Sequence, residues 1–209
     1  MRINLLIILS LFLTGCVTGT RTIELTTPDI PDTGKAKGTV YISGINDNRV
    51  FEQKPASPST PSVKGQLSSV TKDQLSTMIG RQRNGYGMAM GDVALSDGNV
   101  QQTMQALLEE GLQSRGYTLS TDENTALKLS VDIEKFWAWF SPGMFTVSFE
   151  ANLESKLKFS GDRDQQVTVT GYGLNKGQVA SDANWMLAYS RAFDDFLSKL
   201  DQALEDVGL

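Results

Sequence analysis

Residues 127–134 alternate strictly, with Leu127, Leu129, Val131 and Ile133 set against Lys128, Ser130, Asp132 and Glu134. That period of two predicts a strand with one buried face and one wet face. Phe145, Val147, Phe149, Ala151, Leu153, Leu157 and Phe159 continue the pattern over a longer strand, with Ser155 the one polar lapse. The chain turns at residues 161–165 and returns over 166–174, Val167 and Val169 pointing inward. Short connections of this kind predict antiparallel neighbours. Upstream, residues 39–45 read as a strand closed by Asn46-Asp47-Asn48, and Asn84-Gly85 within residues 77–95 signals a hairpin. A short helical or irregular piece is expected at residues 71–75.

Two segments carry the helical period instead. Val100, Met104, Leu107, Leu108 and Leu112 recur at that spacing, with Asp97 placed as N-cap and Gly116 as the stop. Gly111 lies on the apolar face, where it would let a sheet approach. Trp185, Tyr189, Ala192, Phe193, Phe196, Leu200 and Leu204 form the stripe of a last helix, capped by Ser181 with Asp182 at its positive end. These elements add up to an α+β domain, an antiparallel sheet with two helices packed on one face.

The pattern breaks at both ends of the first strand. Residues 5–13 are almost wholly apolar but fall short of the roughly 20 residues that a membrane-spanning helix needs, which is the signature of a signal peptide. The run Leu13-Thr14-Gly15-Cys16 that ends it resembles the lipobox of bacterial lipoproteins. That resemblance implies a diacylglycerol on the Cys16 thiol, cleavage after Gly15 and acylation of the new amino terminus. Val17, in the second mature position, is similar to residues that direct export to the outer membrane. The expected organisation is a signal peptide over 1–15, a lipidated Cys16 with a flexible tether over 16–37, and one domain over 38–209. The tether, with an edge-strand segment at residues 21–26, would span roughly 25 Å as a coil. Within the domain, residues 53–65 carry Pro55, Pro58 and Pro61 among serines and read as a mobile loop.

Composition narrows the chemistry. Removing 15 residues leaves 209 − 15 = 194, enough for one domain, and losing Arg2 moves the net charge from −5 to −6 (18 basic against 24 acidic). An acidic chain without a basic cluster argues against nucleic acid and against electrostatic attachment to anionic lipid, so membrane residence falls to the acyl chains. Cys16 is the sole cysteine and there is no histidine. The second absence removes the commonest general base, the commonest zinc ligand and the standard catalytic triads.

The Leu-Thr-Gly-Cys box, the Thr22-Ile23-Glu24 run, the strand ending in Asn46-Asp47-Asn48-Arg49, the helix closing with Ser114-Arg115-Gly116-Tyr117 and the meander-then-helix ending together resemble the YajG-type envelope lipoproteins. The resemblance implies an α+β domain on a lipid anchor with no established activity. The Pro/Ser-rich insertion at 53–65 and the Trp-rich segment depart from that pattern and leave open whether any partner is shared.

The expected function is therefore a non-enzymatic, lipid-anchored accessory or binding protein on the periplasmic face of the outer membrane, contacting a protein partner or another envelope component. The alternative is an auxiliary lipoprotein subunit of an envelope lipid or solute transport system, which would need an enclosed apolar pocket. No cofactor or metal is expected. A contact site is expected in Phe136-Trp137-Ala138-Trp139-Phe140-Ser141-Pro142-Gly143-Met144-Phe145, where Ser-Pro-Gly gathers Trp137, Trp139, Phe140, Met144 and Phe145 at one hairpin tip. Continuing the alternation from Ile133 puts Trp137 and Trp139 on the core face and Phe136, Ala138 and Phe140 on the wet face. The same aromatics would equally serve to close the end of the core beneath the Pro-rich loop. The adjacent carboxylates Asp194-Asp195 and Glu109-Glu110 point about 100° apart on a helix and cannot flank one bond. Asp162 and Asp164 lack the spacing and glycine of a calcium loop.

Overall fold

The long alternating strand is the spine of the structure. A computed structural model of the chain describes residues 19–31, 35–84, 88–143, 146–161, 164–179 and 181–209. The spine, Leu127–Pro142, is preceded by five shorter strands: β1 (Arg21–Ile23), β2 (Gly38–Asp47), β3 (Met78–Arg83), β4 (Ala89–Leu95) and β5 (Tyr117–Ser120). It is itself β6, and β7 (Val147–Ser160) and β8 (Gln165–Gly177) follow it. The helices are α1 (Lys72–Thr77), α2 (Val100–Ser114) and α3 (Asp182–Asp206). Among the described residues no helix is long and apolar enough to cross a membrane.

All eight strands join one mixed, curled sheet that forks at β6. One edge of β6 is paired along its length with β7, antiparallel, and β7 with β8 in the same sense. The other edge is shared: Leu127 to Ile133 run parallel to β2, while Ala138 and Trp139 run parallel to Gly80 and Arg81 of β3. β2 carries β5 on its far side in parallel, and β3 carries β4 antiparallel, with β1 parallel beyond it.

The expectation of an antiparallel sheet with two helices is thereby corrected. The fold is mostly β, the sheet is mixed, and the described residues form three α-helices. The physical reason is that the hairpins β3–β4, β6–β7 and β7–β8 are joined locally, whereas the four parallel pairings join strands distant in sequence. Alternation reports which face is buried and says nothing of the partner's direction.

α2 and α3 cover one face, where Met104, Leu107 and Leu108 share one core with Phe149, Leu153, Leu157, Tyr189, Phe193 and Phe196. Each such side chain contributes about 1.5–3 kcal/mol by leaving water. The caps differ from the sequence reading in detail. Asn99, not Asp97, caps α2, in a reciprocal capping box with Gln102. Ser181 is the N-cap residue of α3 but makes no side-chain cap bond. Gly116 does end α2, at φ 92°, and a Cβ there would sit 1.7 Å from the Lys35 carbonyl oxygen. Gly111 admits a helix and not a sheet: a Cβ would stand 2.8 Å from both Leu197 and Leu200 of α3. The close approach of sheet to helix occurs instead at Gly171 and Gly173 of β8.

Residues 21–31 are not a free tether. β1 pairs with β4, Leu25 and Ile30 pack on the core, and the Ile30 N–H donates to Glu110 Oε1 at 2.6 Å. Arg21 reaches Asp182 at the start of α3 at 3.0 Å. The folded domain thus includes β1 and the segment to Ile30, upstream of residue 38. Cys16 lies outside the described residues.

Candidate functional site

A bulge in β6 decides what the face opposite the helices looks like. Ile133 pairs with Ser155 of β7 and Lys135 with Glu154, so Glu134 is an extra residue and the alternation inverts beyond it. Phe136, Ala138 and Phe140 then pair with Leu153, Ala151 and Phe149 on the helix face. Phe136 stacks on Tyr189 at 5.3 Å between centroids, and Phe140 meets Phe149 edge-on at 5.4 Å. Trp137 and Trp139, paired with Asn152 and Glu150, turn to the outer face. The facing expected from Ile133 is therefore reversed for all five residues.

The outer face is covered. Trp137 is 1 % exposed and Trp139 7 %, while Phe140 is half-buried. The Trp137 indole N–H donates to the Pro58 carbonyl at 3.2 Å, and its ring meets Phe51 edge-on at 5.8 Å. Residues 53–65, expected as a mobile loop, are fastened across this face: the Glu52 N–H donates to the Pro61 carbonyl, Gln53 bonds Gly65 and Leu67, and Pro55, Pro61, Ser62 and Val63 are buried. The aromatics close a second, smaller core beneath the Pro-rich segment and do not present free rings to a partner. Met144 and Phe145, the other members of the expected contact site, lie outside the described residues.

Arg49 is the clamp of this layer. Its side chain has no exposure, and all five N–H donors are used. Nε and Nη2 grip Asp47 at 2.7 Å each; Nη1 donates to the Met78 and Phe136 carbonyls and Nη2 to that of Leu75. One guanidinium thus ties the end of β2 to α1, β3 and the stretch of β6 just past its bulge, and lies over the Phe51 ring at 5.2 Å.

Beside the clamp, a cleft of about 550 Å³ opens between residues 54–66 and the β3–β4 hairpin. Lys54, Lys64, Arg81 and Arg83 line it, with Ser62 and an apolar rim of Pro55, Val63, Met88 and Ala89. Arg81 is 6 % exposed and its Nε makes no hydrogen bond; the nearest carboxylate oxygen, of its cross-strand partner Asp92, is 3.9 Å away. Asp92 instead accepts the Lys64 main-chain N–H on both oxygens at 3.0 Å. Burial lowers the pKa of Arg81, with Asp92 opposing, and burial likewise lowers that of Arg83. Burial raises the pKa of Asp92 against the opposing pull of the Lys64 N–H and Arg81. Ser62 is 1 % exposed, and its Oγ has no hydrogen-bond partner among the described residues.

The remaining candidates are absorbed by structure. Glu110 holds the Ile30 N–H, while Asp195 accepts the Tyr172 N–H and pairs with Lys199 one turn on. Asp162 lies outside the described residues, among which no cluster of three metal-ligating side chains occurs. Sequence reasoning missed Arg49, Ser62, Arg81 and Asp92. The one available signal was Arg81-Gln82-Arg83, which puts two cations on the same face of a strand in an acidic chain.

A family model described as an uncharacterised lipoprotein matches residues 62–173, from the end of the Pro-rich segment through most of β8. No curated protein matches the chain. Among solved structures, a Xanthomonas campestris protein of family DUF330 is similar at 11 % identity and a TM-score of 0.47, over 89 % of this chain and 95 % of that one. A hypothetical protein of Chlamydia trachomatis is similar at 9 % identity and a TM-score of 0.37, over 81 % and 98 %.

Proposed function

We propose, from the premise that the chain belongs to this family of uncharacterised lipoproteins, that it is a YajG-type accessory protein moored by acyl chains on Cys16. In this reading it stands on the periplasmic face of the outer membrane, is not an enzyme, and binds an envelope partner or component. The observation that carries the reading is Leu13-Thr14-Gly15-Cys16, at the end of an apolar run too short to span a bilayer, in a chain of this family. Acyl chains contribute about 0.8 kcal/mol per buried methylene, so two or more would hold the domain at the bilayer without help from surface charge.

The docking of β1 sharpens the geometry of such an anchor. Cys16 and Arg21 are 21 − 16 = 5 residues apart. Even fully extended that is ~18 Å of chain, so the domain would ride against the headgroups and not at the end of a long leash. Support for a binding role over catalysis comes from the absence of histidine and from the structural use of Glu110 and Asp195. Support over a carrier comes from the interior: Phe136, Phe149, Trp185 and Phe193 fill the space between helices and sheet that an apolar cargo would need.

The test is the intact mass of the native protein, with density-gradient fractionation of the envelope. The expected result is acyl mass on residue 16, co-sedimentation with outer membrane, and loss of both in Cys16→Ser. A native product without acyl mass overturns the anchor, and co-sedimentation with inner membrane overturns the address.

A further inference from the structure

The cleft beneath residues 54–66 concentrates positive charge in an acidic protein. Lys54, Arg81 and Arg83 face one carboxylate among the described residues, Asp92, giving 3 − 1 = +2 locally without counting Lys64, where the whole chain carries −5. Such a concave patch attracts anions selectively. Two features mark it as built for a ligand and not merely basic. Among the described residues, Ser62 Oγ is buried on its wall with no hydrogen-bond partner, and the buried Arg81 Nε is likewise unbonded, although buried polar atoms are nearly always satisfied. The main-chain N–H of Lys64 is already committed to Asp92, and the Arg83 Nη groups donate to the Pro55 and Ser57 carbonyls, so the Ser62 hydroxyl and the Nε groups of Arg81 and Arg83 remain for a guest.

We infer that this cleft binds a phosphate-bearing organic molecule, its phosphate seated on Arg81, Arg83 and Ser62 and its body against Pro55, Val63 and Met88. Guanidinium groups bond phosphate oxygens well, and a doubly charged phosphomonoester answers a local +2 better than a single carboxylate does. A volume of about 550 Å³ lies in the range of small-molecule sites and exceeds what a bare anion fills, and the apolar rim accounts for the rest. The inference rests on the reading of the domain as a binding module, and does not depend on the acyl anchor.

A free phosphorylated metabolite and the headgroup of phosphatidic acid are both phosphomonoesters and share this chemistry, so the experiment separates them. The full chain, purified in neutral detergent micelles, is titrated calorimetrically with inorganic phosphate and with glycerol 3-phosphate at constant ionic strength. It is then titrated with micelles carrying phosphatidic acid or phosphatidylcholine. The expected result is saturable binding at one site per chain with a millimolar or tighter Kd, glycerol 3-phosphate exceeding inorganic phosphate. Saturation by glycerol 3-phosphate alone assigns a soluble ligand; saturation by phosphatidic acid assigns a headgroup. Arg83→Gln, at a half-buried position, weakens it at least tenfold and Ser62→Ala about threefold, each with an unchanged circular dichroism spectrum. Lys158→Gln, a surface cation paired with Asp132, leaves it unchanged. Absence of saturable binding by every probe, or equal binding by Arg83→Gln and wild type, overturns the inference. Missing acyl mass would overturn the anchor and leave this result standing.

Discussion

Replacing Arg49 tests whether the outer layer is held as described. Arg49→Met keeps the volume but removes five N–H donors from a side chain with no exposure. Three main-chain carbonyls, of Leu75, Met78 and Phe136, lose that donor, at about 1 kcal/mol each for a buried acceptor left unsatisfied. Asp47, largely buried itself, loses its only described counter-charge, adding about 1–2 kcal/mol. The expected loss is about 4–5 kcal/mol, at the upper end of what removing one partner of a buried pair costs. Arg49→Lys presents three donors from a single atom and cannot span a carboxylate and three separated carbonyls, so it should recover less than half. Asp47→Asn in the Arg49→Met background should recover only the carboxylate's share, because the carbonyls stay unpaired. The assay is urea unfolding followed by circular dichroism, read as a shift of midpoint at constant slope. A loss below about 1 kcal/mol for Arg49→Met, or Lys equal to Arg, would refute the clamp.

Other outcomes follow from the same geometry. Trp137→Ala should destabilise by about 3–5 kcal/mol, since the indole is buried and bonded to Pro58; unchanged stability with lost partner capture would instead make it a contact residue. Gly173→Ala should cost about 3 kcal/mol in the same unfolding assay, because its Cβ would lie 1.9 Å from the Ala188 carbonyl oxygen of α3, whereas Gly44→Ala, with open space around it, should be tolerated. Tyr172 should ionise near pH 12 by ultraviolet difference titration against Tyr172→Phe, pushed up to about 12 by burial of its hydroxyl and by the 2.7 Å bond to Glu150. Its pKa is raised on folding, so its contribution to stability is complete below the ordinary phenol pKa and is lost as pH rises through 12; ionisation at the ordinary value would refute the bond.

Some of this protein was decided by local rules that can be read along the chain. The alternation of residues 127–133 and 149–159 put the expected side chains in the core, including the lapse at Ser155, whose buried hydroxyl faces Met104 Sδ at 3.8 Å. The stripes of α2 and α3 did the same, and Gly116 stopped α2 where its positive φ was needed. The motif Asn46-Asp47-Asn48-Arg49 was noticed for its resemblance, and the clamp gives it a physical purpose. The Ser114-Arg115-Gly116-Tyr117 motif gains one too, since Arg115 closes on the Asp201 carboxylate and main chain near the end of α3.

What only the tertiary structure decided are the pairings between strands remote in sequence and everything that depends on them. Periodicity records how a residue partitions between water and protein; it holds no record of which strand lies alongside or in which direction. A single extra residue at Glu134 inverted the faces of Phe136 to Phe140, and nothing local marks that bulge, because its cause is the join of β6 to two different strands on one edge. The β3–β4 hairpin sets Asp92 opposite Arg81, and only the folding-back of residues 53–65 over the sheet brings Ser62 to the same cleft. A site assembled that way exists only once the chain has closed on itself, whereas the Cys16 box is a contiguous run and stands in plain view in the sequence.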